Sequence, residues 1–348
     1  MRILFDIGHP AHVHLFRIAR QILKQEGHDV FCIARNKEIT RKLLELYEID
    51  YYPGTNQIKG LGAIFELWPL FRKINKIINK HSINVTASIG SPAAAWASKV
   101  NKIPHLAFND TETSPEQRVL YSPASTKIFT PKCLYGDFGR KQVRYQGTHD
   151  LAYLRPEHFT PDPTIRKELD VSENEKYAIL RLVSWNATHD AISNKKTTQG
   201  ISDDVFALLA QRYKVIISAE GELPDNMKQF RIKIHPHKIH DALAFASVVV
   251  SDGATMATEA AVLGRPSIYI SNSRYINNLG CISYLSKCYR LLDTLDLEQY
   301  RPEKLLKLLD NLREAERQKE RARLLNSTIN VAVYIAECCI KFGENAHL

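Results

Sequence analysis

The chain has 348 residues, 44% of them hydrophobic and 24% charged. That is ordinary globular composition with enough apolar material for two cores, which excludes a disordered or fibrous chain. The formal charge of +9 sits in the first half, where residues 1–160 hold 22 Lys/Arg against 14 Asp/Glu. Such a field favours an anionic partner, and phosphate, nucleic acid and an anionic membrane surface all qualify.

Short apolar runs alternate with amphipathic segments of helix length, the pattern of a parallel sheet covered by helices. Arg2–Ile7 reads as the first strand rather than as a signal peptide. A turn over 8–14 and a helix to about Glu26 follow, then a strand over His28–Ala34, a helix over Lys37–Tyr47 and an extended piece at Asp50–Tyr52. Leu61, Ile64, Phe65, Trp68, Phe71, Ile74 and Ile78 recur at helical spacing within Gly60–His81. Strands are expected at Asn84–Ser88, His105–Asn109 and Ser125–Thr130, with a helix over Pro92–Val100. The stretch Gly147–Asp162, with prolines at 156, 161 and 163 close by, reads as a linker.

The second half restarts the rhythm. Strands are expected at Tyr177–Val183, Lys214–Ser218, Val248–Ser251 and Pro266–Ile270. Helices are expected at Asp203–Arg212, Ile239–Ala246 and Thr255–Leu263, and the last ~45 residues read as charged helix. The domains are therefore 1–158, 159–330 and a C-terminal helix, 331–348, that packs back on the first. No apolar run reaches the ~18–20 residues that span a bilayer. Cys32, Cys133, Cys281, Cys288, Cys338 and Cys339 form no C-x-x-C pair, so they read as reduced thiols of a cytoplasmic protein.

Five segments carry chemistry. The sharpest is Ser251–Pro266, S-D-G-A-T-M-A-T-E-A-A-V-L-G-R-P. A buried strand delivers a turn of small residues, and the helix that starts near Thr255 offers free N–H groups and a positive dipole end to an anion. Glu259 lies one turn into that helix, where a carboxylate can accept from two ribose hydroxyls. Gly8-His9-Pro10-Ala11-His12-Val13-His14 opens the first helix. An imidazole there suits deprotonation of a hydroxyl, while His14 facing the core and His9 capping the helix is the competing reading. H-P-x-H-x-H is not a standard metal spacing. Phe108-Asn109-Asp110-Thr111-Glu112 sets carboxylates at a strand end, with Asp110 as base or as a turn cap. Arg181 lies in an apolar strand, and either a diphosphate or a structural carboxylate would compensate its charge. Ser184 beyond it adds a donor. Ile234-His235-Pro236-His237 precedes a helix and reads as a base- or phosphate-contacting loop, or as a surface turn.

The pattern S-D-G-x-T-x-x-x-E-A-x-x-L-G-x-P-x-I resembles the nucleotide-binding motif of glycosyltransferase-B proteins. Versions of it occur in the N-acetylglucosaminyltransferase of peptidoglycan synthesis and in non-hydrolysing UDP-N-acetylglucosamine 2-epimerases. With the Asp6–His14 opening and Phe108–Glu112, the chain resembles an uncharacterised GT-B-like family found beside polysaccharide genes. The resemblance implies an α/β fold of two Rossmann-like doubly wound domains facing across a cleft. It implies a glycosyltransferase that moves a sugar from a nucleotide-diphosphate donor, a UDP-sugar, to a surface-polysaccharide or lipid-linked glycan acceptor, without metal or other cofactor. His12, Asp110 and Glu112 would be catalytic. Gly8, His9, Arg181, Ser184, His235, Asp252, Gly253, Thr255, Met256 and Glu259 would bind the nucleotide-sugar. The alternative is a 2-epimerase, in which Pro115-Glu116 resembles the second acidic motif. Those enzymes also carry an acid after the preceding strand, where this chain has Ile89-Gly90-Ser91-Pro92. No RNA-binding motif is present, so no nucleic acid partner is expected. Arg72, Lys76 and Lys80 form one helical stripe near Trp68 and Phe71, which predicts peripheral association with the inner face of an anionic membrane.

Overall fold

A computed structural model describes residues 1–56, 63–113, 115–183 and 195–344. Its backbone contacts divide it into two units, Met1–Phe159 with Thr328–Leu348, and Thr160–Ser327.

The first unit runs β1 (Arg2–Ile7), α1 (Pro10–Gln25), β2 (Asp29–Ala34), α2 (Glu38–Leu46), β3 (Tyr52–Pro53), α3 (Ala63–His81), β4 (Val85–Ser88), α4 (Pro92–Val100), β5 (His105–Phe108), α5 (Pro115–Tyr121), β6 (Lys127–Pro131) and β7 (Gln142–Tyr145). The strands form one parallel sheet in the order β3-β2-β1-β4-β5-β6-β7. β1 and β4 are neighbours far apart in sequence. The strand order reverses there, and the loops leaving their C-terminal ends diverge to leave the crevice where open α/β sheets take ligands.

Local chemistry explains the sharp boundaries. Pro10 occupies the first turn of α1, and His9 caps it, its Nδ1 accepting the Ala11 N–H at 3.3 Å. α1 therefore starts before the predicted turn has ended. Ser91 caps α4 by accepting the Ala94 N–H at 3.3 Å, with Pro92 next in line. Gly27, at φ 82°, ends α1 in a conformation that side chains disfavour.

The segment expected to be a linker is largely core. His149–Ala152 forms a 3₁₀ turn, and His149, Asp150, Leu151, Ala152, Tyr153 and Leu154 are all buried. Gly147 is a packing glycine: its φ is 143°, and a Cβ on it would stand 3.1 Å from Val331 Cγ2. The boundary falls at Phe159, within the proline-marked stretch.

The second unit contains α6 (Ile165–Glu168), β8 (Tyr177–Leu182), α7 (Lys195–Ala210), β9 (Lys214–Ala219), α8 (Ile239–Phe245), β10 (Val248–Ser251), α9 (Ala254–Val262), β11 (Ser267–Ser271), α10 (Ser273–Asn278), α11 (Gly280–Ser283), β12 (Asp293–Asp296), α12 (Pro302–Asp310) and α13 (Glu314–Ser327). Its sheet is parallel in the order β12-β11-β10-β8-β9. Its core gathers Leu180, Val205, Ile217, Val250 and Ile268, each 0–1% exposed. After Ser327 the chain returns to the first unit, where α14 (Val331–Glu344) packs on α1 and on the sheet. Tyr334 and Phe342 of α14 meet the Phe129 ring edge-on, at 5.8 and 6.2 Å between centroids.

All six cysteines are free, and burial pushes the Cys32 thiol up to about 12. Among the described residues no helix is long and apolar enough to cross a membrane.

Candidate active site

In the first unit, the turn after β1 places His12 in the first turn of α1. Its Nδ1 accepts the Gly8 N–H at 3.2 Å. Burial lowers the basicity of this imidazole, the neighbouring His9 and Arg35 lower it further, and Asp110 opposes them, so the ring stays neutral at physiological pH. His14 is 5% exposed, with its ring edge-on to Tyr47 and tilted against Tyr153. It is a core histidine, and His9 is an exposed helix cap.

Asp110 follows the end of β5. Its Oδ2 meets His149 Nδ1 at 2.9 Å. Burial would raise the carboxyl, but the His149 and His12 imidazoles outweigh it and hold Asp110 below the usual carboxylate range. Glu112 has another partner, its Oε1 accepting the Tyr135 N–H at 3.1 Å beyond β6. The structure thus joins His12 and Asp110 with a residue the sequence pattern assigned to a linker, His149. The signal was the run Leu151-Ala152-Tyr153-Leu154, which is too apolar for a linker.

Further charges reach this cluster through Arg35. Asp6, 3% exposed, is the penultimate residue of β1; burial raises its carboxyl, and Arg35 and the Ser91 hydroxyl partly offset that. Arg35 Nε stands 3.5 Å from Glu66 Oε1, which also accepts the Thr55 hydroxyl at 2.8 Å.

In the second unit, α9 begins at Ala254 and no side chain caps it. Asp252 accepts the Val183 N–H through both carboxylate oxygens, at 2.7 and 3.0 Å, tying the turn to the end of β8. Gly253 is required there, since a Cβ would stand 2.9 Å from Val183 Cγ2. Thr255 is exposed at the helix start and Met256 is buried. Glu259 is not a solvated carboxylate: it is 5% exposed and its Oε1 lies 3.1 Å from His240 Nε2 on α8. Arg181 has structural partners, its Nη1 donating to Ser218 Oγ at 3.0 Å and its Nη2 to Glu220 Oε1 at 2.5 Å. Glu220 is the structural carboxylate expected for it. His235 is exposed in the loop before α8, 5.9 Å from the His237 ring. Ser184 lies outside the described residues. Among the described residues no three His, Cys, Asp or Glu side chains gather as a metal site.

A family model described as protein of unknown function (DUF354) matches residues 1–334. The chain belongs to that family. No curated protein matches its sequence. Solved structures resemble it over nearly its whole length. The S. aureus MnaA–UDP co-structure aligns with TM-score 0.71 at 13% identity, covering 99% of this chain and 97% of that one. The UDP-GlcNAc 2-epimerase from Neisseria meningitidis bound to UDP-GlcNAc aligns with TM-score 0.67 at 15% identity, covering 98% and 100%. MurG of Acinetobacter baumannii aligns with TM-score 0.57 at 13% identity, covering 98% and 100%. The family member described here therefore has a GT-B-like fold built from two doubly wound units, as its motifs imply.

Proposed function

We propose that this protein is a glycosyltransferase that moves a sugar from a UDP-sugar to a hydroxyl of a glycan acceptor. The second unit receives the nucleotide. The uncapped start of α9, with Gly253 and the Thr255 hydroxyl, faces the diphosphate and stabilises it as it leaves. Glu259 accepts from the ribose, and a diphosphate would compete with Glu220 for Arg181. The dipole and these donors counter the phosphate charge, so the reading invokes no metal. The first unit receives the acceptor at His12 and Asp110.

One observation carries the choice of transferase over 2-epimerase. Past the end of β5, the carboxylate of Asp110 is held ionised by two imidazoles, His149 and His12, while Glu112 Oε1 accepts the Tyr135 N–H. The turn after β4 offers Ser91, a helix cap, rather than an acid. That set suits one proton removed from one hydroxyl. An epimerase of the kind that the motifs resemble needs carboxylates in both places.

The deciding measurement is product analysis with UDP-sugars, with and without polysaccharide and lipid-linked acceptors. Release of UDP that depends on acceptor is expected. A sugar inverted at C2 without acceptor would replace this reading with the isomerase.

We further propose that the acceptor is met at an anionic membrane surface. Arg72, Lys76 and Lys80 are exposed on α3, and Trp68, 65% exposed, stacks on Phe71 at 5.3 Å. Leu70, Ile74, Ile77 and Ile78 on the same helix are buried in the core, so charge rather than insertion would drive binding. Lys73 is not part of the stripe; its Nζ donates to the carbonyls of Pro53 and Gly54. Co-sedimentation with anionic but not neutral liposomes is expected, declining with salt and lost when 72, 76 and 80 all become Glu. Equal binding to both lipids would end the membrane proposal.

A further inference from the structure

We infer that His149 is a positioning residue that aims Asp110 as the proton acceptor, and that His12 is a hydrogen-bond donor to substrate rather than the base. The inference rests on the transferase reading and assigns its acceptor-side chemistry.

The division follows from which nitrogen carries which proton. The Gly8 N–H points at His12 Nδ1 at 3.2 Å. A backbone N–H only donates, so Nδ1 must present its lone pair, and a neutral ring then carries its proton on Nε2. At Nε2 such a ring donates. To accept a proton there, His12 would have to change tautomer and give up the bond to Gly8.

His149 is fixed the other way. Its Nδ1 faces the Asp110 carboxylate at 2.9 Å and so carries the proton. Its Nε2 is buried and has no hydrogen-bond partner, the side chain is 8% exposed, and the ring stacks on Tyr145 with planes 6° apart. No substrate reaches that nitrogen, so the ring acts through Asp110. The Asp110 side chain is 35% exposed and is the member of the trio on which both imidazoles act.

In the proposed step, the acceptor hydroxyl gives its proton to Asp110 as its oxygen forms a bond to the anomeric carbon. The bond from that carbon to the diphosphate oxygen breaks, and its electron pair leaves with UDP. His12 Nε2–H donates to a substrate oxygen beside the reacting hydroxyl. The charged and titratable groups around the cluster are His9 before α1, His12 of α1, Arg35 after β2 with Asp6 and Glu66 beside it, Asp110 and Glu112 after β5, and His149 after β7 with Tyr145 stacked on it.

The test uses the full chain. Imidazole nitrogen NMR of the wild type, with no substrate, should show His12 as the Nε2–H tautomer and His149 with its proton on Nδ1. In acceptor-dependent UDP release, His149→Phe should lower kcat at least tenfold and move the acidic limb of the pH profile upward by about one unit. UDP affinity by calorimetry should not change. His149→Asn, whose amide nitrogen can replace Nδ1 as donor, should restore most of kcat and most of the limb. An Nδ1–H tautomer at His12, or an acidic limb unmoved by His149→Phe, would overturn the inference. If wild-type protein binds no UDP, the transferase reading falls by itself, and the tautomers still decide whether the proton assignment is right.

Discussion

Asp110→Asn is expected to reduce acceptor-dependent turnover by ~10²–10⁴-fold, the scale of a lost general base, with UDP affinity unchanged. The amide keeps the shape and can still accept the proton of His149 Nδ1 at one atom, so the loss would be chemical rather than structural. The pH dependence has a definite sign. Asp110 is held below its ordinary range, so the base is ionised at neutral pH and stays ionised in mild acid. Activity should therefore persist as pH falls to the usual carboxylate range and fail below it. The same shift contributes stability above the unfolded carboxyl value near ~3.9, which is lost as pH falls through the folded one. Steady-state rates from about pH 2.5 to 8 check this. A His12→Ala loss that exceeds the Asp110→Asn loss would return the role of base to the imidazole.

Glu259→Ala is expected to do two things together. It should weaken UDP binding by at least ~1.5 kcal/mol, the scale of a charge-assisted hydrogen bond, and it should destabilise the second unit. The carboxyl sits 5% exposed against His240, itself 1% exposed. Its removal takes a partner from a buried imidazole, at a cost of about 1–3 kcal/mol. His240→Ala separates the effects: it should carry the destabilisation while leaving Glu259 able to bind ribose. Calorimetry with UDP and denaturant unfolding of both variants measure the two terms. Full UDP affinity in a folded Glu259→Ala protein would remove Glu259 from the nucleotide site and leave it a structural partner of His240.

What was legible in the sequence was what turn chemistry marks. β1, α4 and β10 fall at the residues expected, because Gly8, Ser91-Pro92 and Asp252-Gly253 punctuate apolar runs. β7 and β12 were not legible. Gln142-Val-Arg-Tyr and Asp293-Thr-Leu-Asp lie at the edges of their sheets, where one side needs no apolar neighbour and the alternation fades. The sites split in the same manner. The small-residue turn before α9 was visible as a motif. The partners of Arg181, Glu259 and Asp110 were not, since Glu220, His240 and His149 reach them across strands and helices far along the chain. Periodicity reports which face of an element is apolar, not which polar group waits opposite.

The route of the chain sets an order for its own folding. α1 and the sheet of the first unit are covered by α14, whose Ile335, Ala336 and Cys339 are 0–1% exposed. Yet residues 160–327 lie between them in the chain. On a ribosome adding ~5–20 residues per second, the first unit waits roughly 8–34 s for its last helix while the second is made, and the second is complete before that helix is. The unit begun first is thus the one finished last. During that interval the face awaiting α14 is the apolar surface that a chaperone would have to guard.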